Sequence, residues 1–152
     1  MKPRVLGLVV ALLSGGCDEQ PYRRYADAAD AIAAGERERG WLPVWLPKSA
    51  RDVHLQNDVD TNEWWLRAQV SPAAADSLRP LLLPVDPDSV ELLPPNRGSR
   101  WWFEGLIQHH PENDWALNAE LFRGRGSPVP RTTVVAFDRS SETIFVWSVA
   151  ER

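Results

Sequence analysis

The stretch TTVVAFDRSSETIFVWSV, residues 132–149, carries the clearest fold signal in the chain. Two runs rich in β-branched and aromatic residues, Thr132 to Phe137 and Thr143 to Val149, flank the polar segment Asp138-Arg139-Ser140-Ser141-Glu142. Runs of this kind separated by a polar turn are typical of antiparallel strands. The sequence therefore predicts a β-hairpin at the C-terminal end.

Further strands are predicted upstream of this hairpin. Asp52 to Asn57 and Glu63 to Val70 have strand composition and are joined by a turn through Asp58 to Asn62. A strand is also predicted for Arg100 to Ile107. Trp115 to Phe122 is compatible with either a strand or a helix.

Two helices complete the predicted domain. Tyr22, Tyr25, Ala29 and Ile32 recur at helical spacing, which predicts a helix over Arg23 to Arg39 with Gly40 as its C-cap and a solvated last turn, Glu36 to Arg39. Ser71 as N-cap and Pro72 at the first position predict a short second helix to about Leu82. The predicted fold is α+β, with both helices packed on a mainly antiparallel sheet.

The first residues indicate export. Lys2 and Arg4 precede an apolar run from Val5 to Leu13, and the small residues Ser14, Gly15 and Gly16 precede Cys17. The apolar run is shorter than the roughly 20 residues of a spanning helix, so it is interpreted as a signal peptide, residues 1–16. Residues 17–22 would form a tether and residues 23–152 a single domain.

This N-terminal stretch resembles the bacterial lipobox, whose cysteine receives a lipid before the signal is removed. The resemblance implies that Cys17 is acylated, with palmitate among the usual chains, and that it holds the domain on a membrane. Asp18 after the cysteine implies the periplasmic face of the inner membrane, with the outer membrane as the alternative. An ordinary signal peptide with an incidental cysteine is the other interpretation.

The chain also resembles small uncharacterised bacterial lipoproteins and exported proteins. The resemblance lies in Gly40-Trp41-x-Pro43, Leu46-Pro47-x-Ser49-Ala50-x-Asp52-Val53 and Asp58-x-Asp60-Thr61-Asn62. No activity comes with it. The formal net charge of −4 and the lack of a basic stripe argue against nucleic acid as a partner.

The sequence offers only weak candidates for chemistry. Asp58, Asp60 and Asn62 have the alternating oxygen ligands that open a calcium loop, but Glu63 replaces the required glycine. His54, Asp58 and Asp60 would lie on one side of a strand and could bind a metal or form an acid–base pair. A solvated turn is favoured for His109 to Asp114, and no G-x-S-x-G motif is present.

The eight tryptophans are the more informative feature. If Trp64-Trp65 and Trp101-Trp102 lie on strands, each pair points to opposite faces of the sheet. One member of each pair, with Arg67, Arg97 and Arg100 nearby, could then line a groove for a peptide, glycan or protein. Alternatively, the first helix and the Pro-rich segment 40–50 cover that second face.

Together these patterns favour a non-enzymatic, membrane-tethered module without a cofactor that binds an envelope protein or glycan. The weak binding candidates are Trp64, Trp65, Trp101, Trp102, Arg67 and Arg100. An immunity-type inhibitor of a toxin fits within the same class. A hydrolase or metal-dependent enzyme using His54, Asp58 and Asp60 is the alternative from another class.

Overall fold

The computed structural model describes residues 21–90, 95, 101–102, 107–108 and 116–148, and for the pairs 107–108 and 116–117 it describes only the backbone. The predictions for Cys17, for Arg97 and Arg100 and for the turn 109–114 fall outside these residues.

A seven-stranded antiparallel sheet forms the centre of the fold, which confirms the predicted mainly antiparallel sheet. The strands are numbered in chain order from β1 to β9. The sheet contains β1 to β4 and β7 to β9, and the short strands β5 and β6 form a separate pair. The spatial order is β1-β2-β3-β9-β8-β7-β4. Their bounds are Tyr22–Asp27 (β1), Arg51–Asn57 (β2), Trp64–Gln69 (β3), Leu82–Pro84 (β4), Ile107–Gln108 (β5), Ala116–Leu117 (β6), Ala119–Gly124 (β7), Thr133–Asp138 (β8) and Thr143–Ser148 (β9).

The last two strands confirm the predicted C-terminal hairpin. β8 and β9 pair antiparallel, and β9 also pairs with β3, which places it in the middle of the sheet. Both strands are buried along nearly their whole length, because each face of the sheet carries a hydrophobic core. This explains why their sequences are almost continuously apolar.

The predicted first helix is wrong over much of its length. Residues 22–27 form strand β1, and the helix α1 covers only Ala28–Ala33. The Asp27 side chain accepts a hydrogen bond from the backbone N–H of Asp30 and so caps α1 at a later point than expected. Gly35, with φ +82°, lies just after the helix, so the chain turns well before Gly40.

The second helix confirms its predicted start but ends earlier than expected. α2 covers Pro72–Leu78, and the Ser71 side chain accepts from the backbone N–H of Ala74. A 3₁₀ turn over Arg79–Leu81 then leads into β4. A second 3₁₀ turn covers Pro87–Ser89.

Different segments cover the two faces of the sheet. α1 and the Pro-rich segment 40–50 pack on one face, where Leu42, Leu46, Val53 and Leu55 are buried. Trp102 packs with Trp65, Phe145 and Trp147 on the other face. Trp64 and Trp65 point to opposite faces as predicted, with Trp64 packed against the first core.

Trp101 and Trp102 are helical, so the strand predicted over Arg100 to Ile107 is wrong at these two positions. The ambiguous stretch Trp115 to Phe122 contains β6 and most of β7.

Gly124 at the end of β7 has no room for a side chain, because a Cβ would lie 2.1 Å from the carbonyl oxygen of Pro130. No helix in the described part of the chain is both long and apolar enough to cross a bilayer.

Candidate functional site

The candidate site is built around His54 on β2. His54 lies opposite Arg24 of β1 on one side and opposite Arg67 of β3 on the other. The tyrosine hydroxyl of Tyr22 lies 2.8 Å from His54 Nδ1. The Trp101 ring stacks on the imidazole, with 5.6 Å between ring centroids and 20° between planes. We call Tyr22, His54 and Trp101 the aromatic patch.

A bulge in β2 brings Asp52 to the same histidine. The pairing of β2 with β3 shifts between Arg51 and His54, and Asp52 has φ +45°. This left-handed conformation is unusual for a residue other than glycine, and bulges of this kind redirect side chains near functional sites. Asp52 Oδ1 lies 3.2 Å from His54 Nε2, although the angle is poor for a hydrogen bond.

Arg24 holds the Asp52 carboxylate in place. Its Nε and Nη2 donate to Asp52 Oδ1 at 2.9 and 2.6 Å. Partial burial raises the pKa of Asp52, but the hydrogen bonds from Arg24, together with the closeness of the imidazole, outweigh this effect and hold the pKa below its usual 3.8. Asp52 is therefore ionised at neutral pH.

His54 is neutral at the same pH. Burial lowers its pKa below 6.5, the Asp52 carboxylate opposes that shift, and the charges of Arg67 and Arg24 add to it. The tautomer with a proton on Nε2 directs that proton toward Asp52 and lets Nδ1 accept from Tyr22. The imidazole thus has the Tyr22 hydroxyl on one side as a hydrogen-bond partner and the Asp52 carboxylate on the other at 3.2 Å.

The Tyr22 hydroxyl keeps its proton at neutral pH. Burial raises the pKa of Tyr22 above 10, with a smaller opposing effect from Arg24, so its hydroxyl stays protonated. A tyrosine that acts as a nucleophile or base would need its pKa shifted in the opposite direction. Tyr22 is nevertheless 46% exposed, and its ring lies 5.8 Å from that of Trp101, so the patch presents an aromatic surface to solvent.

Asp58 and Asp60, which the sequence predicts to act with His54, lie in the turn after β2 and are not the carboxylates beside it. Asp58 Oδ1 accepts from the backbone N–H groups of Asp60 and Thr61, which is the turn-capping role considered for it. Asp60 and Asn62 are exposed on this turn, and Asn62 has φ +60°. Across the residues with described side chains, no group of three or more His, Cys, Asp and Glu is placed to hold a metal ion.

The weak binding candidates also differ in exposure. Trp65 and Trp102 are 2% and 3% exposed and belong to the core. Trp64, Trp101 and Arg67 are partly exposed, and of these Trp101 and Arg67 lie beside His54.

Sequence reasoning found His54 but missed Asp52 and Tyr22. Alternation along a strand puts Asp52 and His54 on one side, but their contact also depends on the bulge between Arg51 and His54, which no residue spacing indicates. Tyr22 could not be found in the same way, because its place opposite Gln56 depends on β1 pairing with β2.

One comparison with known proteins gives a match. Residues 19–68, about a third of the chain, match the family model described as the YbbD head domain. The matched range contains β1, α1, β2 and nearly all of β3, and so it includes Tyr22, Asp52 and His54. The comparison with curated proteins gives no match, and neither does the comparison with solved structures.

Replacing Asp52 by asparagine is expected to lower the pKa of His54 further. The variant removes the carboxylate that favours the imidazolium form but leaves the burial and the two arginines that oppose it. An NMR titration of the histidine ring protons measures the change. Asp60→Asn is the control, since Asp60 lies in the adjacent turn, and an equal shift there would contradict the assignment.

The pH dependence of stability is expected to carry a contribution from His54. Because its folded pKa lies below 6.5, the unfolded chain binds more protons between these two values. The free energy of unfolding therefore falls as the pH drops below about 6.5 and levels off below the folded pKa. Urea unfolding of the wild type and of His54→Gln between about pH 7.5 and pH 5 tests this, and an unchanged slope in the variant would contradict it.

Proposed function

We propose that this chain is a lipid-anchored, non-enzymatic binding domain of the bacterial envelope. Cys17 carries the lipid, the domain lies on the periplasmic face of the inner membrane, and the aromatic patch contacts a protein or glycan partner. The observation that carries the proposal is the half-exposed Tyr22 ring, which is held against His54 and Trp101 at the start of β1.

The position of the patch in the chain supports this proposal. Tyr22 follows Cys17 by five residues, and a fully extended segment of that length spans at most about 18 Å. A lipid on Cys17 would therefore keep the patch close to the membrane surface. A partner at this site would be another component of the membrane surface or a molecule close to it.

The composition of the patch supports recognition of a partner. Tyrosine and tryptophan offer a large, rigid contact area at low cost in conformational entropy, and both are enriched at binding hot spots. Arg24 extends the surface with a side chain that is 63% exposed. Its pairing with Asp52 leaves a polar rim beside the rings.

Site-specific photocrosslinking tests the binding role. A photoreactive amino acid at position 22 in the full chain, irradiated in intact cells, is expected to give a defined adduct. The matched control is position 83, because Leu83 is 44% exposed, close to the 46% of Tyr22, and lies on the opposite edge of the sheet. Equal labelling at both positions, or none at position 22, would contradict the proposal.

The anchor is tested separately. The mature N-terminus is expected to be an acylated cysteine by mass spectrometry, and Cys17→Ala is expected to lose this modification and the membrane association that depends on it. An unprocessed methionine, or a processed terminus without acyl chains, would remove the membrane part of the proposal.

A further inference from the structure

A cavity of about 210 Å³ lies between α2 and the hairpin of β8 and β9, both of which belong to the described part of the chain. Its floor is apolar, because Val70, Phe137 and Ile144 line it and are all buried. The backbone N–H of Val70 donates to the carbonyl oxygen of Glu142 at 2.8 Å, which fixes the two walls relative to each other. Sites for drug-sized ligands usually measure about 300 Å³ or more, so this cavity suits a single side chain.

Acidic side chains surround the opening of the cavity. Asp76 on α2 and Glu142 in the β8–β9 turn line it and are exposed, and Asp138 at the end of β8 lines it as well. Asp138 is held by its own turn, because it accepts from the backbone N–H of Ser140 and from the hydroxyl of Ser141, both at 2.8 Å. The Asp76 and Glu142 side chains make no hydrogen bond or ion pair with any described residue. Two carboxylates at the rim are therefore available to a ligand.

Arg79 does not neutralise these two carboxylates. Among the described residues that line the cavity it is the one basic residue, and its Nη1 lies 2.8 Å from Oε2 of Glu120, which does not line the cavity. Its guanidinium carbon also lies over the Phe137 ring, 4.7 Å from the centroid. Because the charge of Arg79 is engaged in these contacts, the cavity keeps a negative rim above an apolar floor.

We propose that this cavity receives the basic side chain of a partner protein. Lysine and arginine combine an apolar stem with a charged end, so the methylene groups would lie on the floor while the cation faces Asp76 and Glu142. An acidic or neutral side chain would leave both carboxylates without a counter-charge. The chain as a whole has a formal net charge of −4, which attracts a basic partner at long range.

The cavity is a different surface from the aromatic patch. Val70, Phe137 and Ile144 belong to the core on the side of α1, whereas Trp101 packs against the core on the other face of the sheet. The inference therefore goes beyond the proposed function, and it depends neither on the patch nor on a lipid at Cys17.

Site-specific photocrosslinking of the full chain in intact cells tests the proposal. A photoreactive amino acid at position 73 is expected to give a defined adduct with another protein. Ala73 is exposed on α2, one helical turn before Asp76, and does not line the cavity. The control is position 59, because Val59 is exposed in the turn between β2 and β3, at the other end of the sheet.

Three variants test charge and space at this site. Asp76→Asn combined with Glu142→Gln is expected to reduce the adduct about tenfold, because the cation loses both counter-charges. Ala75→Leu, which fills the cavity without changing its charge, is expected to reduce the adduct to a similar extent. Asp30→Asn combined with Glu38→Gln is the matched control, since both residues are exposed and the same two charges are removed. Circular dichroism establishes that each variant is folded.

The partner is tested in the same way. Once mass spectrometry has located the crosslinked segment of the partner, glutamine in place of its basic residues is expected to reduce the adduct as much as the neutral pair does. An adduct with another protein that depends on both carboxylates, on the open cavity and on those basic residues supports the proposal.

The remaining outcomes would overturn it. An adduct no stronger than at position 59, or one that the neutral pair leaves unchanged, would show that the rim does not recognise a cation. An adduct unchanged by Ala75→Leu would show that no side chain enters the cavity. A crosslink within the chain itself, or to a lipid or glycan, would assign the cavity to another occupant.

Discussion

Replacing Trp102 by alanine is expected to lower the free energy of unfolding by about 3–5 kcal/mol. The side chain is 3% exposed, and its ring packs edge-on against Phe145 and Trp147 with centroid distances of 5.6 Å to each. The variant would lose this buried apolar contact and leave a cavity over the centre of the sheet. Urea unfolding followed by far-UV circular dichroism measures the loss.

Trp101→Ala is the matched comparison. Trp101 is only partly buried and packs against Tyr22 and His54, so the expected loss of stability is about 1–2 kcal/mol. The same variant is expected to reduce photocrosslinking at position 22. Equal destabilisation by the two variants would mean that Trp101 belongs to the core and that its part in the aromatic patch is incidental.

Replacing Arg23 by methionine is expected to lower the free energy of unfolding by about 3 kcal/mol. The Glu36 side chain is fully buried and pairs with Arg23 at 2.7 Å and with Arg39 at 3.1 Å. The Tyr25 hydroxyl also donates to Glu36, at 2.5 Å. Without Arg23, the buried Glu36 carboxylate keeps only Arg39 and the Tyr25 hydroxyl as partners. The expected loss of stability therefore lies near the lower end of the range that is usual for breaking a buried ion pair.

Glu36→Gln is expected to destabilise less, by about 1–2 kcal/mol, because Arg23 and Arg39 are partly exposed and can be hydrated instead. Combining Arg23→Met with Glu36→Gln is expected to be less harmful than the sum of the two, which a double-mutant cycle measures. Glu38→Gln is the control, since Glu38 is exposed and should change stability by no more than about 0.5 kcal/mol. Additive losses would show that the pair is not coupled.

The strands of the central sheet were predictable where composition and alternation agree with burial. β2, β3, β8 and β9 all lie within a residue or two of their predicted bounds. Their β-branched and aromatic residues suit a sheet that is covered on both faces. The start of α2 was equally clear, because its capping signals at Ser71 and Pro72 are local.

The N-terminal segment was not predictable in the same way. Tyr22, Tyr25, Ala29 and Ile32 have helical spacing, yet residues 22–27 pair with β2 instead. Such pairing is a long-range contact that overrides local propensity. The burial of Glu36 was missed for the same reason, since its partner Arg23 is on β1 and the charged run 36–39 looks solvated in sequence.

The candidate site was also predictable from the sequence only in part. His54 could be singled out in the sequence because it lies a few residues from carboxylates. The residues that contact it could not, because those contacts depend on strand register and on a bulge. The structure gives it Asp52 and Tyr22, whereas the sequence favoured Asp58 and Asp60. Trp101 reaches it from a distant segment, and no spacing rule in the sequence indicates that contact.

The central position of β9 makes completion of the sheet depend on a strand that follows all its other described strands in the sequence. β1, β2 and β3 form one half of the sheet, β8, β7 and β4 form the other, and β9 alone hydrogen-bonds to both β3 and β8. A nascent or proteolytically shortened chain that ends before Thr143 would hold two half-sheets with no strand to join them. Because β3 and β9 are separated by more than seventy residues in sequence, joining them is expected to be a slow step in folding.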